Sequence, residues 1–102
     1  MSRLPLRFHP EVAGEIREAK VWYGERSELA KEQLVSAVRR GFRQLSSESS
    51  AGFNYIHGTK RLPIKKFPYI LVFRIRGGST DIVAFAHTSR RPGYWRYRLQ
   101  RS

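Results

Sequence analysis

A chain of 102 residues, 40% hydrophobic and 13% aromatic, is the size of one domain and carries enough apolar surface for a modest core, which argues against disorder. It has no cysteine, so a disulfide framework, a thiolate metal site and a cysteine nucleophile are excluded. Its net charge of +12 is uneven: residues 1–48 hold nine Lys and Arg against seven Glu, a balance of +2, and residues 49–102 hold eleven against the single acid Asp81, a balance of +10. A field segregated in this way points to nucleic acid, an acidic protein or an anionic surface as partner. No apolar signal core opens the chain and no run is long enough to span a bilayer, so a soluble cytoplasmic protein is expected, with no membrane partner.

Residues 3–8, RLPLRF, put Leu4, Leu6 and Phe8 on one face and read as a short strand. Pro5 belongs at its start or on an edge, because it cannot donate to a ladder. Pro10 suits the first turn of a helix, with Glu11 and Glu15 near the positive end of its dipole. Val12, Ile16, Ala19 and Tyr23 follow at helical spacing and predict an amphipathic helix over residues 10–25. Ser27 is the expected N-cap of a second helix, whose apolar stripe is Leu34, Val38, Phe42 and Leu45. The short connection predicts an antiparallel helical hairpin. The Ser-rich stretch QLSSESSAG then breaks the helix and leads into an irregular segment, residues 53–60.

The period changes in the second half. RLPIKKF reads as a short strand interrupted by Pro63. FPYILVFRIR sets Tyr69, Leu71, Phe73 and Ile75 on one face and Ile70, Val72, Arg74 and Arg76 on the other. Gly77-Gly78 makes a turn and DIVAFAH returns. Both strands are apolar on both faces, which predicts central positions with the helices covering one side. The expected class is α+β: a short N-terminal strand, an antiparallel two-helix hairpin, then a mainly antiparallel sheet with a basic C-terminal arm, all in one domain over residues 1–102.

That arm follows His87 as HTSRRPGYWRYR, which contains no carboxylate. A histidine among arginines tends to stay neutral, and a neutral imidazole can act as a general base toward a 2′-hydroxyl while arginines hold a phosphate. A structural histidine holding the strand end explains the same residue. Tyr94, Trp95 and Tyr97 among Arg90, Arg91, Arg96 and Arg98 resemble surfaces that stack bases and grip phosphates, although acidic peptides suit them too. Trp95 can equally close a core, and Pro92-Gly93 bends the arm back. Lys60, Arg61, Lys65 and Lys66, with Arg74 and Arg76, can form a continuous basic face. Arg74 stands in an apolar strand and calls for an anionic partner or an exposed position. His9 and His57 show no metal spacing, and no Gly-rich phosphate loop is present, so no metal or cofactor is expected.

HPEVAGEIREAKVWYGERS, LAKEQLVSAVRRGFRQL, FPYILVFRI and above all IVAFAHTSRRPGYWRYR together resemble the RelE/ParE superfamily of type II toxin–antitoxin systems. Glu18-Ala19, Trp22-Tyr23 and the RRPGYW tail look closer to the ParE side. The resemblance implies a growth-inhibiting toxin neutralised by a cognate acidic antitoxin in a hetero-oligomer. A ParE-like member would poison DNA gyrase; a RelE-like member would cut mRNA on the ribosome without a metal. In the nuclease case His87, Tyr94 and Arg74 would be catalytic, with Arg61 and Arg90 or Arg91 on the phosphate. A glutamate base has no equivalent in the basic half. In either case Arg61, Lys65, Arg90, Arg91, Trp95 and Arg98 are the expected target- or nucleic-acid-binding residues.

Overall fold

A computed structural model describes residues 5–47 and 50–100. The chain runs β1 (Leu6–Phe8), α1 (Val12–Arg26), α2 (Glu28–Ser47), β2 (Phe53–Asn54), a 3-10 turn (Ile56–Gly58), β3 (Lys60–Pro63), β4 (Tyr69–Arg76), β5 (Ser79–His87) and a last 3-10 turn (Arg96–Leu99). The strands form one sheet in the order β1-β5-β4-β3-β2. β1 lies parallel to β5, and every other pairing is antiparallel. The α+β class and the central placement of β4 and β5 are as the sequence predicts. Leu4 lies outside the described residues.

α1 starts two residues later than Pro10 suggests. His9 Nδ1 accepts the Glu11 N–H at 3.2 Å and His9 O accepts the Val12 N–H at 3.0 Å, so Pro10 and Glu11 form a turn before the helix. Ser27 is the whole connection between the helices. Its extended backbone ends α1 with N–H donated to Tyr23 O at 2.8 Å, and its Oγ accepts the Ala30 N–H at 3.1 Å to start α2.

Leu34, Val38 and Leu45 of α2 and Val12 and Ala19 of α1 bury against Leu62, Leu71, Phe73, Ile82 and Phe85 of the sheet. On the opposite face Ile70, Val72, Val83, Ala84 and Ala86 pack around Trp95. β4 and β5 are therefore covered by helices on one side and by the arm on the other, which is why neither strand alternates.

Two features depart from the expected organisation. The stretch expected to be irregular contains β2, which pairs with β3 through Phe53 and Arg61. The β4–β5 ladder also slips: Val72 pairs with Ala84 and Phe73 with Ile82, so Val83 has no opposite residue. This bulge lets Val83 and Ala84 both join the arm-side cluster, while Ile82 and Phe85 face the helices.

Candidate functional site

His87 ends β5 opposite Tyr69, whose ring stacks on Phe85 at 4.5 Å and meets the His87 ring edge-on at 5.0 Å. The Ser89 N–H donates to His87 Nδ1 at 3.0 Å, and Ser89 Oγ lies 2.7 Å from the same nitrogen. A backbone N–H can only donate, so Nδ1 is an acceptor and the neutral ring carries its proton on Nε2. Neither nitrogen is then a free base. This histidine shapes the turn that launches the arm, and its Arg90 N–H bond to His87 O, at 3.0 Å, tightens the same turn.

Beyond Pro92 the chain reverses at Gly93, whose φ is +84°. Trp95, 1% exposed, enters the second core beside Tyr55 and His57, at ring distances of 6.1 and 6.0 Å. The last turn then carries Arg98 under the sheet edge. β1 stops at Phe8, so past Ile82 that edge of β5 has no strand beside it. Its polar groups are taken by side chains instead: Glu15 Oε1 accepts the Phe85 N–H at 2.9 Å, and Arg98 Nη1 donates to Val83 O at 3.0 Å.

Arg98 and Glu15 also pair with each other. Nη1 reaches Oε1 at 3.1 Å and Nη2 reaches Oε2 at 2.9 Å, with side chains only 4% and 14% exposed. Glu11, 51% exposed, adds a longer bond to Nη2 at 3.3 Å and accepts the Tyr97 hydroxyl. The Tyr94 hydroxyl donates to Glu15 Oε2 at 2.6 Å. Burial works against the Arg98 charge, but the Glu15 and Tyr97 hydrogen bonds outweigh it and raise the guanidinium pKa. Burial and the Glu15 carboxylate raise Tyr94 far above the ordinary tyrosine range, so it holds its proton.

The fold keeps His87, Arg90 and Tyr94 near one another and sets Arg74 apart. His87 pairs with Tyr69 at one end of β4, and Arg74 pairs with Asp81 near the other. Five residues of strand separate them, about 16 Å at the usual rise. Tyr94 is committed to Glu15. Trp95 and Arg98 are buried anchors, whereas Arg90 and Arg91 are exposed, with the Arg90 guanidinium 3.9 Å above the Tyr94 ring. Arg61 lies over Phe53 and Tyr55 at 5.4 and 5.6 Å. Lys65 and Lys66 border a groove against Arg40 and Ala37 of α2, apart from Arg74 and Arg76. The continuous basic face expected from sequence is thus split between the two sides of the sheet. Among the described residues no group of His, Asp and Glu is placed to hold a metal ion.

Glu11 and Glu15 are the residues that the sequence reading passed over as part of this constellation. Their i, i+4 spacing puts both on one helix face, a signal legible in HPEVAGEI, but nothing local joins that face to an arginine 83 residues further on.

A family model described as the ParE toxin of the type II toxin-antitoxin system, parDE, matches residues 6–92. No curated protein matches the chain. Among solved structures, a chain of the chromosomal ParDE TA system from P. aeruginosa superposes with a TM-score of 0.65 at 18% identity, over 82% of this chain and 95% of that one. At that identity the likeness concerns the fold. The family match ends at Pro92, so the anchored arm from Gly93 onward lies beyond it.

Proposed function

The chain belongs to the ParE toxin family of type II toxin–antitoxin systems, and on that premise we propose that it arrests growth by binding DNA gyrase, without bond-breaking chemistry of its own. The observation that carries this reading is that the groups a nuclease would need are committed to other bonds or, for Arg74, set apart. His87 has its Nδ1 occupied by Ser89, Tyr94 keeps its proton on Glu15, and Arg74 lies toward the opposite end of the sheet. A metal-free ribonuclease requires base, acid and phosphate clamp within hydrogen-bond reach of one substrate.

In this reading the exposed Arg90 and Arg91 engage the target, with Arg61 and Lys65 as further basic positions, while Trp95 and Arg98 hold the arm in place. The ParDE title of the structural neighbour supports an antitoxin partner, and in this reading that partner is an acidic chain covering the helical hairpin and the basic half in a hetero-oligomer. A second half carrying +10 attracts such a chain through long-range steering, so association should slow as salt rises. The cytoplasm is where gyrase would be met, and among the described residues no helix is long and apolar enough to cross a membrane.

The test is induced expression in bacteria with growth and a DNA-damage reporter followed in parallel, beside a gyrase cleavage assay with purified protein. Growth arrest with a strong reporter signal is expected, retained in His87→Gln and lost in the Arg90→Ala, Arg91→Ala double variant. Arrest with a silent reporter and fragmented mRNA would overturn the reading and restore the nuclease alternative.

A further inference from the structure

The end of the sheet farthest from His87 holds a second concentration of charge that the toxin reading does not use. Arg7 of β1 and Arg74 of β4 both pair in register with Asp81 of β5, so the three side chains stand in one row across adjacent strands, on one face of the sheet. Arg76, two residues along β4, projects on the same face. Together they wall a cavity of about 360 Å³, and Val83, which belongs to the arm-side cluster, adds an apolar contact to its lining. That volume lies within the range of small-molecule sites.

Among the described residues none of the three arginines forms an ion pair with a carboxylate, although Asp81 stands between two of them. Arg74 gives one Nη2 bond to Leu99 O at 3.3 Å, and its Nε is buried without any partner. A buried guanidinium N–H left unsatisfied is costly, and an anion in the cavity would satisfy it. Burial, and then the neighbouring Arg76, push the Arg74 pKa down, and the Asp81 carboxylate offsets only part of that.

Charge and shape select the ligand. Arg98, which also borders the cavity, is already neutralised by Glu15. Arg7, Arg74 and Arg76 set against Asp81 leave an excess of two positive charges. A phosphate monoester carries about −1.5 to −2 at neutral pH and offers three acceptor oxygens. Guanidinium forks match those oxygens in pairs. The Asp81 carboxylate would repel a phosphate placed on top of it, but it can accept a hydroxyl from the same ligand. Val83 offers an apolar contact for an organic remainder.

We infer that this cavity binds the phosphate group of a small phosphate monoester between the guanidiniums of Arg7, Arg74 and Arg76. The site is independent of the gyrase reading, since neither Arg90 nor Arg91 lines it.

The full chain, labelled with ¹⁵N, is titrated with inorganic phosphate, adenosine 5′-monophosphate and adenosine at constant ionic strength set with chloride. Saturable shifts at the Arg74 Nε–H and the Gly77 amide are expected with phosphate and the monophosphate, and none with adenosine. Tighter binding of the monophosphate than of phosphate would assign a contact to the organic part, and equal binding would assign recognition to the phosphate alone. Arg76→Gln, on an exposed side chain that the fold does not need, should weaken binding about tenfold, whereas Arg91→Gln should leave it unchanged. Unchanged affinity in Arg76→Gln overturns the site. So do shifts spread equally over Arg90 and Arg91, which would mean diffuse attraction to the basic half.

Discussion

Replacing Arg98 by alanine tests whether a buried ion pair holds the arm to the domain. Arg98 makes bonds to both oxygens of Glu15, to Glu11, to Val83 O and to the Tyr97 oxygen, all from a side chain 4% exposed. Removing one partner of a buried pair typically costs about 3–5 kcal/mol, because the other charge stays behind. Glu15 keeps the Phe85 N–H and the Tyr94 hydroxyl, which places the loss near the lower end, at about 3 kcal/mol. For a domain of this size that lowers the melting temperature by roughly 12–20 °C. Calorimetry measures the shift, and tryptophan fluorescence locates it: Trp95 is 1% exposed and Trp22 50%, so release of the arm adds a second solvated indole and a red-shifted emission. A melting temperature within about 2 °C of the parent, with Trp95 still shielded, would refute the idea that this pair anchors the arm.

Acid should weaken the same junction. The Tyr97 hydroxyl, with the nearby Arg98 charge, holds the Glu11 carboxyl below its ordinary 4.5 despite some desolvation. Its contribution is therefore complete above about pH 4.5 and is lost as the pH falls below that value, so melting curves should decline there and decline less steeply in Glu11→Gln. Gly52→Ala should cost more than Gly93→Ala in urea unfolding. Both have positive φ, worth about 1–2 kcal/mol against alanine, but a Cβ at Gly52 would lie 2.8 Å from Arg61 O and 2.9 Å from the Phe73 ring, whereas at Gly93 the nearest atom is His57 Nε2 at 3.0 Å on a side chain that can move. Ser27→Ala removes the oxygen that caps α2 and should destabilise the chain by about 1 kcal/mol, read as a lower urea midpoint with an unchanged slope.

Periodicity carried most of the architecture. The stripe of Leu34, Val38 and Leu45 is buried as spaced, Ser27 caps as its position implies, and two strands apolar on both faces lie at the sheet's centre. These features were legible because each depends on residues a few positions apart. β2 was not legible, since Phe53-Asn54 is two residues long and exists only through its pairing with Arg61 and Lys60. The late start of α1 escaped too, because the His9 ring takes the Glu11 N–H that a helix beginning at Pro10 would arrange differently.

The charged residues mark the boundary most clearly. The segregation of +10 into the second half is a property of the sequence alone, and no fold could remove it. Which of those charges face solvent was decided by tertiary structure. Arg90 and Arg98 look alike in HTSRRPGYWRYR, yet one lies open over Tyr94 and the other is sealed against Glu15. The physical reason is that a buried cation is tolerable only where a carboxylate and free backbone acceptors converge on it. Here they are supplied by α1 and by the bulged, unpaired edge of β5, brought together only when the sheet closes over the helical hairpin.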